Sequence, residues 1–174
     1  MRNHRMTRLV GAAALLCAAA LPAFAADPDK PDEDAFQESS WTLPTPPQDA
    51  DLLTFYTGMS GLSFSIDAKS LTVDKDGVAR FTMVAASKSG AKSVSYEGIR
   101  CETREHKLYA AGHPDGTWGK ARDPQWLPIQ TAGTNLQHHS LAEDYICKDN
   151  RKAGKPSAII NDMRYHRTPF SPQT

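Results

Sequence analysis

The sequence predicts an α+β domain, in which a small twisted antiparallel sheet carries one or two short helices and is cross-linked by one disulfide. Three observations predict this class. Apolar and polar residues alternate in many segments between positions 52 and 110, as in half-buried strands. Residue patterns typical of helix N-termini appear after position 133, and two cysteines lie far apart in the second half of the chain. A chain of 174 residues has room for one core of ordinary size.

The N-terminal 25 residues have the pattern of a secretory signal. Three arginines and no acid precede an apolar run over 9–21, which is followed by Pro22 and the small-x-small sequence Ala23-Phe24-Ala25. The run is shorter than the roughly 20 residues that span a bilayer. We therefore expect cleavage after Ala25, a periplasmic or secreted protein, and no transmembrane segment in the mature chain. A lipid anchor on Cys17 is disfavoured because Leu16, just before it, is not small.

The composition excludes several functional classes. Lys plus Arg and Asp plus Glu each number 20, and removing the signal takes away three arginines, which leaves the mature chain acidic by three charges. This balance excludes a nucleic-acid partner. Hydrophobic residues make up 40% and charged residues 23%, which fits neither a disordered polyelectrolyte nor a membrane bundle.

Acids and prolines dominate the start of the mature chain. Six acids oppose Lys30 over 27–38, and five prolines fall within the twenty positions 28–47. Such a segment buries too little apolar surface to become ordered by itself. The sequence therefore predicts a flexible acidic leader over 26–40, a single globular domain over 41–166 and a C-terminal tail over 167–174.

Segments with strand periodicity follow from position 52. Leu62, Phe64 and Ile66 share one face of a half-buried strand. The pair Asp76-Gly77 predicts a hairpin between 70–73 and 78–84. Two further strands are predicted over 93–101 and 107–110, which gives an antiparallel meander of four to six strands. The strand signal fades at 113–119, which has the composition of a loop.

Two short helices are predicted after the sheet. Ser140-Leu141-Ala142-Glu143 is typical of a capping box, and the same signature over 134–137 leaves open a start six residues earlier. A second helix is predicted over 156–163 with Ile159, Ile160 and Met163 turned inward. A strand over the same residues remains an alternative.

Cys101 and Cys147 are the two cysteines that remain after the signal is removed. In an oxidising compartment such a pair predicts a disulfide. Neither cysteine has the spacing of a metal ligand or a redox motif, so we expect a structural bridge that joins the predicted helix to the strand ending at Cys101.

Several of these segments carry a family resemblance. The stretch Tyr96-Glu97-Gly98-Ile99-Arg100-Cys101, the run Asp115-Gly116-Thr117-Trp118, the later Trp126 and the second cysteine at 147 resemble the Cnp-one-like family of exported proteobacterial proteins. The match covers most of 38–150, whereas 150–174 departs from it. The resemblance implies a signal peptide and one small envelope domain. It implies no nameable activity and transfers no catalytic residue.

One group of residues is a candidate ligand groove: Glu97, Arg100, Tyr109, Trp118 and Trp126. Large aromatic rings can stack on a sugar, a flat ring or a peptide, while arginine can bind a carboxylate or phosphate. The structural alternative is that the tryptophans close one end of a small sheet, since small domains routinely bury them. Both interpretations stay open at this point.

Signatures of metal binding and catalysis are absent from the sequence. The five histidines of the mature chain lack the spacing of a metal site, so we expect no metal and no cofactor; they are His106, His113, His138, His139 and His166. The run Gly58-Met59-Ser60-Gly61 is one residue short of a serine hydrolase elbow. Convergence of Asp115 and Asp123 as an acid–base pair stays open.

The sequence thus favours a non-catalytic binding or accessory module of the bacterial envelope, whose partner is an unknown envelope protein or glycan. The alternative is an envelope hydrolase that acts on cell-wall or carbohydrate material through Asp or Glu residues beside Trp118 and Trp126.

Overall fold

A computed structural model describes residues 36–133, 136–148 and 152–168. The predicted signal peptide, most of the predicted leader and residues 169–174 lie outside the described residues. The described part is dominated by an eight-stranded antiparallel sheet. Its strands, in chain order, are β1 (Leu52–Thr57), β2 (Ser63–Asp67), β3 (Thr72–Val73), β4 (Ala79–Ala86), β5 (Lys92–Arg100), β6 (Glu105–Gly112), β7 (Trp118–Lys120) and β8 (Leu127–Pro128).

The sheet follows the order β1-β2-β4-β5-β6-β7, with β3 beside β4 and β8 beside β6. Neighbours along this path are also neighbours in sequence except where β3 is passed over, so the predicted antiparallel meander is confirmed. The sheet has more strands than the four to six expected. The additional strands are β7 and β8, which have three and two residues and are too short to leave a periodic pattern in the sequence.

The hairpin between β3 and β4 forms where the sequence predicts it. Gly77 has a φ of 75° and donates its N–H to the carbonyl of Asp74 at 2.9 Å. A residue with a Cβ rarely adopts this backbone conformation, which explains the glycine. The Asp76 carboxylate accepts from the backbone of Val78 at 3.1 Å and completes the turn.

Residues 113–117 form the loop that their composition predicts, but the prediction is wrong for 118–119, because Trp118 begins the strand β7 and pairs with Gly112 of β6. The glycine that suggested a loop has a packing role. A Cβ on Gly119 would lie 2.8 Å from Nε2 of His113, so a larger residue at this position would have to displace the exposed imidazole.

Helix α1 (Gln137–Leu141) continues as a π-helical segment over Ala142–Ile146. The capping box predicted at Ser140 is wrong, because Ser140 lies inside the helix and its hydroxyl donates to Asp144 at 2.7 Å. Glu143, the other half of that motif, pairs with Arg104. The start at Gln137 agrees better with the earlier of the two predicted starts.

Helix α2 (Pro156–Arg164) confirms the helical alternative for this segment. Ile159 and Met163 are buried, and Ile160 packs partly against the same core. A two-stranded ribbon, β9 (Cys147–Lys148) with β10 (Lys152–Ala153), lies between the two helices in the chain. No helix within the described ranges is long and apolar enough to cross a membrane.

The two faces of the sheet are covered differently. On one face both helices pack over a large apolar core that includes Phe81, Ile99 and Leu141. On the other face a smaller cluster centres on Tyr96 and Tyr109 and is covered by the extended segment 36–47, which contributes Trp41 and Leu43. We call these the helix face and the aromatic face.

The end of the predicted leader is attached to the aromatic face. The ring of Phe36 lies 3.7 Å from the guanidinium carbon of Arg100, and the N–H of Ser39 donates to Asp76 at 2.8 Å. Composition predicts flexibility for 26–40 as an average over the segment. It does not detect that individual side chains near position 38 have specific partners on the sheet.

The predicted disulfide between Cys101 and Cys147 is present, with the two Cα atoms 5.4 Å apart. Cys101 directly follows β5 and Cys147 directly follows the π-helical segment. The bridge therefore joins the end of the helical segment 137–146 to the end of β5, as expected.

We predict that Cys101→Ser and Cys147→Ser each lower the free energy of unfolding by ~4 kcal/mol, because a closed loop of 46 residues restricts the unfolded chain. The double variant should be about as unstable as either single variant, since one bridge is lost in each case. Urea unfolding with and without reductant measures this. Two free thiols in native protein, found by alkylation before reduction, would exclude the bridge.

Candidate functional site

The five residues of the predicted groove lie on both faces of the sheet. Glu97 points to the helix face, where it contacts His138 of α1. Arg100, Tyr109, Trp118 and Trp126 belong to the aromatic side, where they contact one another or the segment 36–47. Glu97 and Arg100 are three positions apart in β5, and side chains at odd spacing in a strand point to opposite faces. The structure thus separates Glu97 from the other four.

A β-bulge positions Tyr109 on the aromatic face. Tyr96 pairs with Ala110 and Glu97 pairs with Leu108, so Tyr109 is the extra residue of β6. Its phenol lies over Gly98, where a Cβ would come within 2.8 Å of the hydroxyl oxygen. The ring of Trp41 lies 4.7 Å from that of Tyr109, whose exposure is 1%. Tyr109 is therefore a packing residue beneath the N-terminal segment, with no surface open to a ligand.

A buried guanidinium lies next to this aromatic cluster. The side chain of Arg80 is fully buried and donates to both oxygens of Asp76, at 2.7 and 3.3 Å. It also donates to Asp74 at 3.0 Å and to Glu38 at 3.3 Å. Burial by itself would raise the pKa of Asp76, but the hydrogen bonds from Arg80 and two backbone amides outweigh it and lower that pKa to about 2.

Glu38 connects the N-terminal segment to the same group. Its carboxylate accepts from the Tyr109 hydroxyl at 2.5 Å and from Lys107 at 2.7 Å. Burial opposes ionisation of Glu38, yet the hydrogen bonds from Lys107 and Tyr109 keep its pKa below the ordinary value. Burial and the neighbouring Glu38 raise the pKa of Tyr109. Glu38 is therefore an ionised anchor, and the sequence analysis missed it because it assigned the residue to the leader.

Arg100 lies between an aromatic ring and a carboxylate. It stacks on Phe36 and donates to Glu105 at 3.5 Å, and Trp126 lies 5.7 Å from its guanidinium carbon. The same two aromatic rings meet edge to face with centroids 6.1 Å apart. The guanidinium of Arg100 is therefore already in contact with the N-terminal segment, through Phe36, and with its own hairpin, through Glu105.

A surface hollow of about 440 Å³ lies beside Trp118, where the segment 46–52 meets the ends of β4 and β5. Trp118 is partly exposed and donates its indole N–H to the carbonyl of Pro44 at 2.9 Å, which fixes that wall. The lining combines rigid apolar groups with polar groups at exposed positions; it includes Pro46, Pro47, Leu52, Val84, Val94, Lys92, His113 and Thr117. Of the five predicted groove residues, Trp118 lines this hollow.

A second polar group lies on the helix face. Glu97 has 7% exposure and accepts from the Ser95 hydroxyl at 2.5 Å, while its other oxygen lies 2.6 Å from Nε2 of His138. The imidazole rings of His106 and His138 stack with centroids 3.9 Å apart. Ligand atoms of Glu97, His106 and His138 all lie within 4.8 Å of one another.

The pKa values of Glu97 and His106 depend on burial and on the neighbouring His138. Burial by itself would raise the pKa of Glu97, but the hydrogen bond and charge of His138 hold it below the ordinary value. Burial lowers the pKa of His106, and the nearby His138 lowers it further. A carboxylate that is ionised beside an imidazole with a depressed pKa is a donor set suited to a cation.

The sequence has no set of metal ligands at short spacing, and it therefore predicted no metal site. The three side chains come instead from β5, β6 and α1, so no local pattern contains them. One signal was available in the sequence. Glu97 is on the same face of its strand as Ile99 and Cys101, and Cys101 is bonded to Cys147, which follows the helical segment that contains the histidines. Strand periodicity combined with the disulfide would have placed Glu97 near the residues of that helix.

The described residues thus form a disulfide-linked antiparallel sheet with two different faces. The N-terminal segment 36–47 covers the aromatic face, and the helix face carries the buried group of Glu97, His106 and His138. The chain belongs to the CNP1-like family, whose model matches residues 31–164. This confirms the resemblance drawn from the residues around Cys101, but the expected end near position 150 is wrong, because the match continues to 164. No curated protein and no solved structure matched the chain.

We predict that Asp76 makes stability depend on pH below its ordinary pKa of 3.8. Its pKa in the folded protein is lowered, so its contribution is complete above 3.8 and is lost as the pH falls through about 2. In urea unfolding from pH 5 to pH 2, Asp76→Asn should lose ~1–2 kcal/mol less than the wild type. Asp123→Asn, which removes an exposed carboxylate bonded to Gln125, is the matched control and should follow the wild-type profile.

Proposed function

We propose that the protein is exported to the bacterial envelope and acts there as a non-catalytic binding or accessory module. Export is supported by the signal pattern over 1–25 and by the disulfide, a bond that persists in oxidising compartments. The binding role is carried by one observation, the hollow beside Trp118.

The hollow has the features of a recognition surface. Its volume of about 440 Å³ lies within the range of small-ligand sites, and its walls include two prolines and an indole, which lose little conformational entropy when a ligand binds. Lys92 and His113 supply polar groups at exposed positions. Lys92 pairs with Asp49 at 2.6 Å in an exposed ion pair that a ligand anion can exchange at little cost. A segment of an envelope protein or a glycan with an anionic group fits this combination.

The carboxylates near the tryptophans support a binding role over hydrolysis. Asp115 accepts from the hydroxyl and the N–H of Thr117, which lowers its pKa, whereas a general acid at a glycosidic bond needs a raised pKa. Asp123 accepts from Gln125 of its own loop at 2.6 Å. These two groups stabilise their turns.

Processing gives the first test of this proposal. Protein isolated from the envelope of its native host should have an N-terminus at Ala26 and an intact mass that corresponds to residues 26–174. Intact-mass spectrometry measures this directly. A mass that retains residues 1–25, or that carries diacylglycerol on Cys17, would contradict export as a soluble mature chain.

The hollow gives the second test. A photo-crosslinking residue at the exposed position Thr117 should label a protein partner in intact cells, or the protein should co-sediment with isolated peptidoglycan if the ligand is a glycan. Lys92→Glu reverses the charge at the rim of the hollow. It should reduce the yield of crosslinked partner, or the amount of protein that co-sediments with peptidoglycan, at least tenfold. Trp118→Ala is a poor substitute because it also removes the anchor of Pro44.

Two positions serve as controls for the hollow. Lys120→Glu makes the same charge change on β7 outside the lining, and a crosslinker at Lys75 lies in the turn at the opposite end of β4. Both should leave the interaction of the hollow unchanged. Equal labelling from Thr117 and Lys75, or an equal loss with both charge reversals, would exclude the hollow as the binding surface. Release of sugar from peptidoglycan by the purified protein would favour the hydrolase.

A further inference from the structure

The group on the helix face is assembled by three separate elements. Glu97 lies on β5, His106 lies on the neighbouring β6, and His138 lies on α1 above them. His106 pairs with Ile99, two positions from Glu97, so both side chains are on the same face of the sheet. The three ligand atoms lie within 4.8 Å of one another in a site where Glu97 has 7% exposure.

The distances are close to those of a coordination sphere. Ligand atoms bound to tetrahedral Zn²⁺ at 2.0–2.1 Å are about 3.3 Å apart. The carboxylate of Glu97 and Nε2 of His138 are 2.6 Å apart, which is a hydrogen-bond distance, and the widest separation in the group is within 4.8 Å. Movements of the ligand atoms by less than about 2 Å would therefore replace the hydrogen-bonded arrangement by one in which all three atoms bind a cation.

The side chains have the freedom and the support that such a conversion needs. The two rings are nearly parallel, at 18°, so one imidazole must turn about its Cβ–Cγ bond before both nitrogens face one ion. This torsion is broad in histidine. Nδ1 of His106 is buried and has no hydrogen-bond partner among the described residues, so turning this ring breaks no hydrogen bond at that atom. Ser95 orients the carboxylate through its other oxygen, as neighbours of metal ligands commonly do.

We propose that Glu97, His106 and His138 form a binding site for one divalent transition-metal ion of the Zn²⁺ class. Two imidazoles and one carboxylate select such ions over Mg²⁺ and Ca²⁺, which prefer all-oxygen ligands. Three protein ligands leave a fourth position for water or another small donor. The ion takes the place of the proton shared by Glu97 and His138, and it links α1 to the sheet.

Zinc titration of the mature, oxidised protein tests this site. After treatment with a chelator and its removal, isothermal titration with ZnCl₂ at neutral pH should show one ion per chain, and thermal unfolding should shift upward with zinc concentration. MgCl₂ should produce neither effect. Glu97→Gln, His106→Gln and His138→Gln should each weaken zinc binding at least ~10-fold.

His139→Gln is the matched control, since His139 shares α1 with His138 but lies outside the group of three. It should bind zinc as the wild type does. If Glu97→Gln or His138→Gln fails to fold, His106→Gln decides the outcome, because the buried Nδ1 of His106 has no hydrogen-bond partner among the described residues that this variant would remove. Absence of a one-to-one zinc site in the wild type, unchanged affinity in His106→Gln, or an equal loss in His139→Gln would overturn the proposal.

Discussion

The position of the N-terminal segment depends on the burial of Arg80. A guanidinium removed from water is strongly destabilising unless carboxylates and hydrogen bonds compensate it. Asp74 and Asp76 come from the adjacent turn, but Glu38 comes from 42 positions earlier in the chain. Glu38 also binds Lys107 and Tyr109, and this contact brings Trp41 over the tyrosines. One buried cation therefore determines how the aromatic face is covered.

This constraint explains why the predicted groove is divided. Arginine and aromatic residues have the chemistry of ligand recognition, but here Arg100 and Tyr109 recognise the protein's own N-terminal segment. Surface open to other molecules remains at the edge of that segment, beside Trp118, where the prolines end and β1 begins. The chemistry of Arg100 and Tyr109 is therefore used within the chain, and whether the predicted groove binds another molecule stays a prediction.

Local patterns predicted the local features of this fold. Asp76-Gly77 gave the hairpin, the apolar spacing of 159–163 gave α2, and two cysteines gave the bridge. Most of the features that the sequence did not predict require long-range information. Glu38 has partners that are 42 to 71 positions away, and the Glu97 group joins three elements. Strand periodicity alone could have separated Glu97 from Arg100, since their spacing is odd.

The disulfide and the Glu97 group act on the same contact. Cys147 holds one end of the helical segment to the end of β5, and His138 holds the other end to Glu97 of the same strand, with Arg104 and Glu143 paired between them. The covalent link does not depend on pH, so it keeps His138 near its partners when the hydrogen bond to Glu97 is broken. Such a tether raises the effective concentration of one ligand at the others. The bridge thus makes the group preorganised, and the free energies of the two interactions are coupled rather than additive.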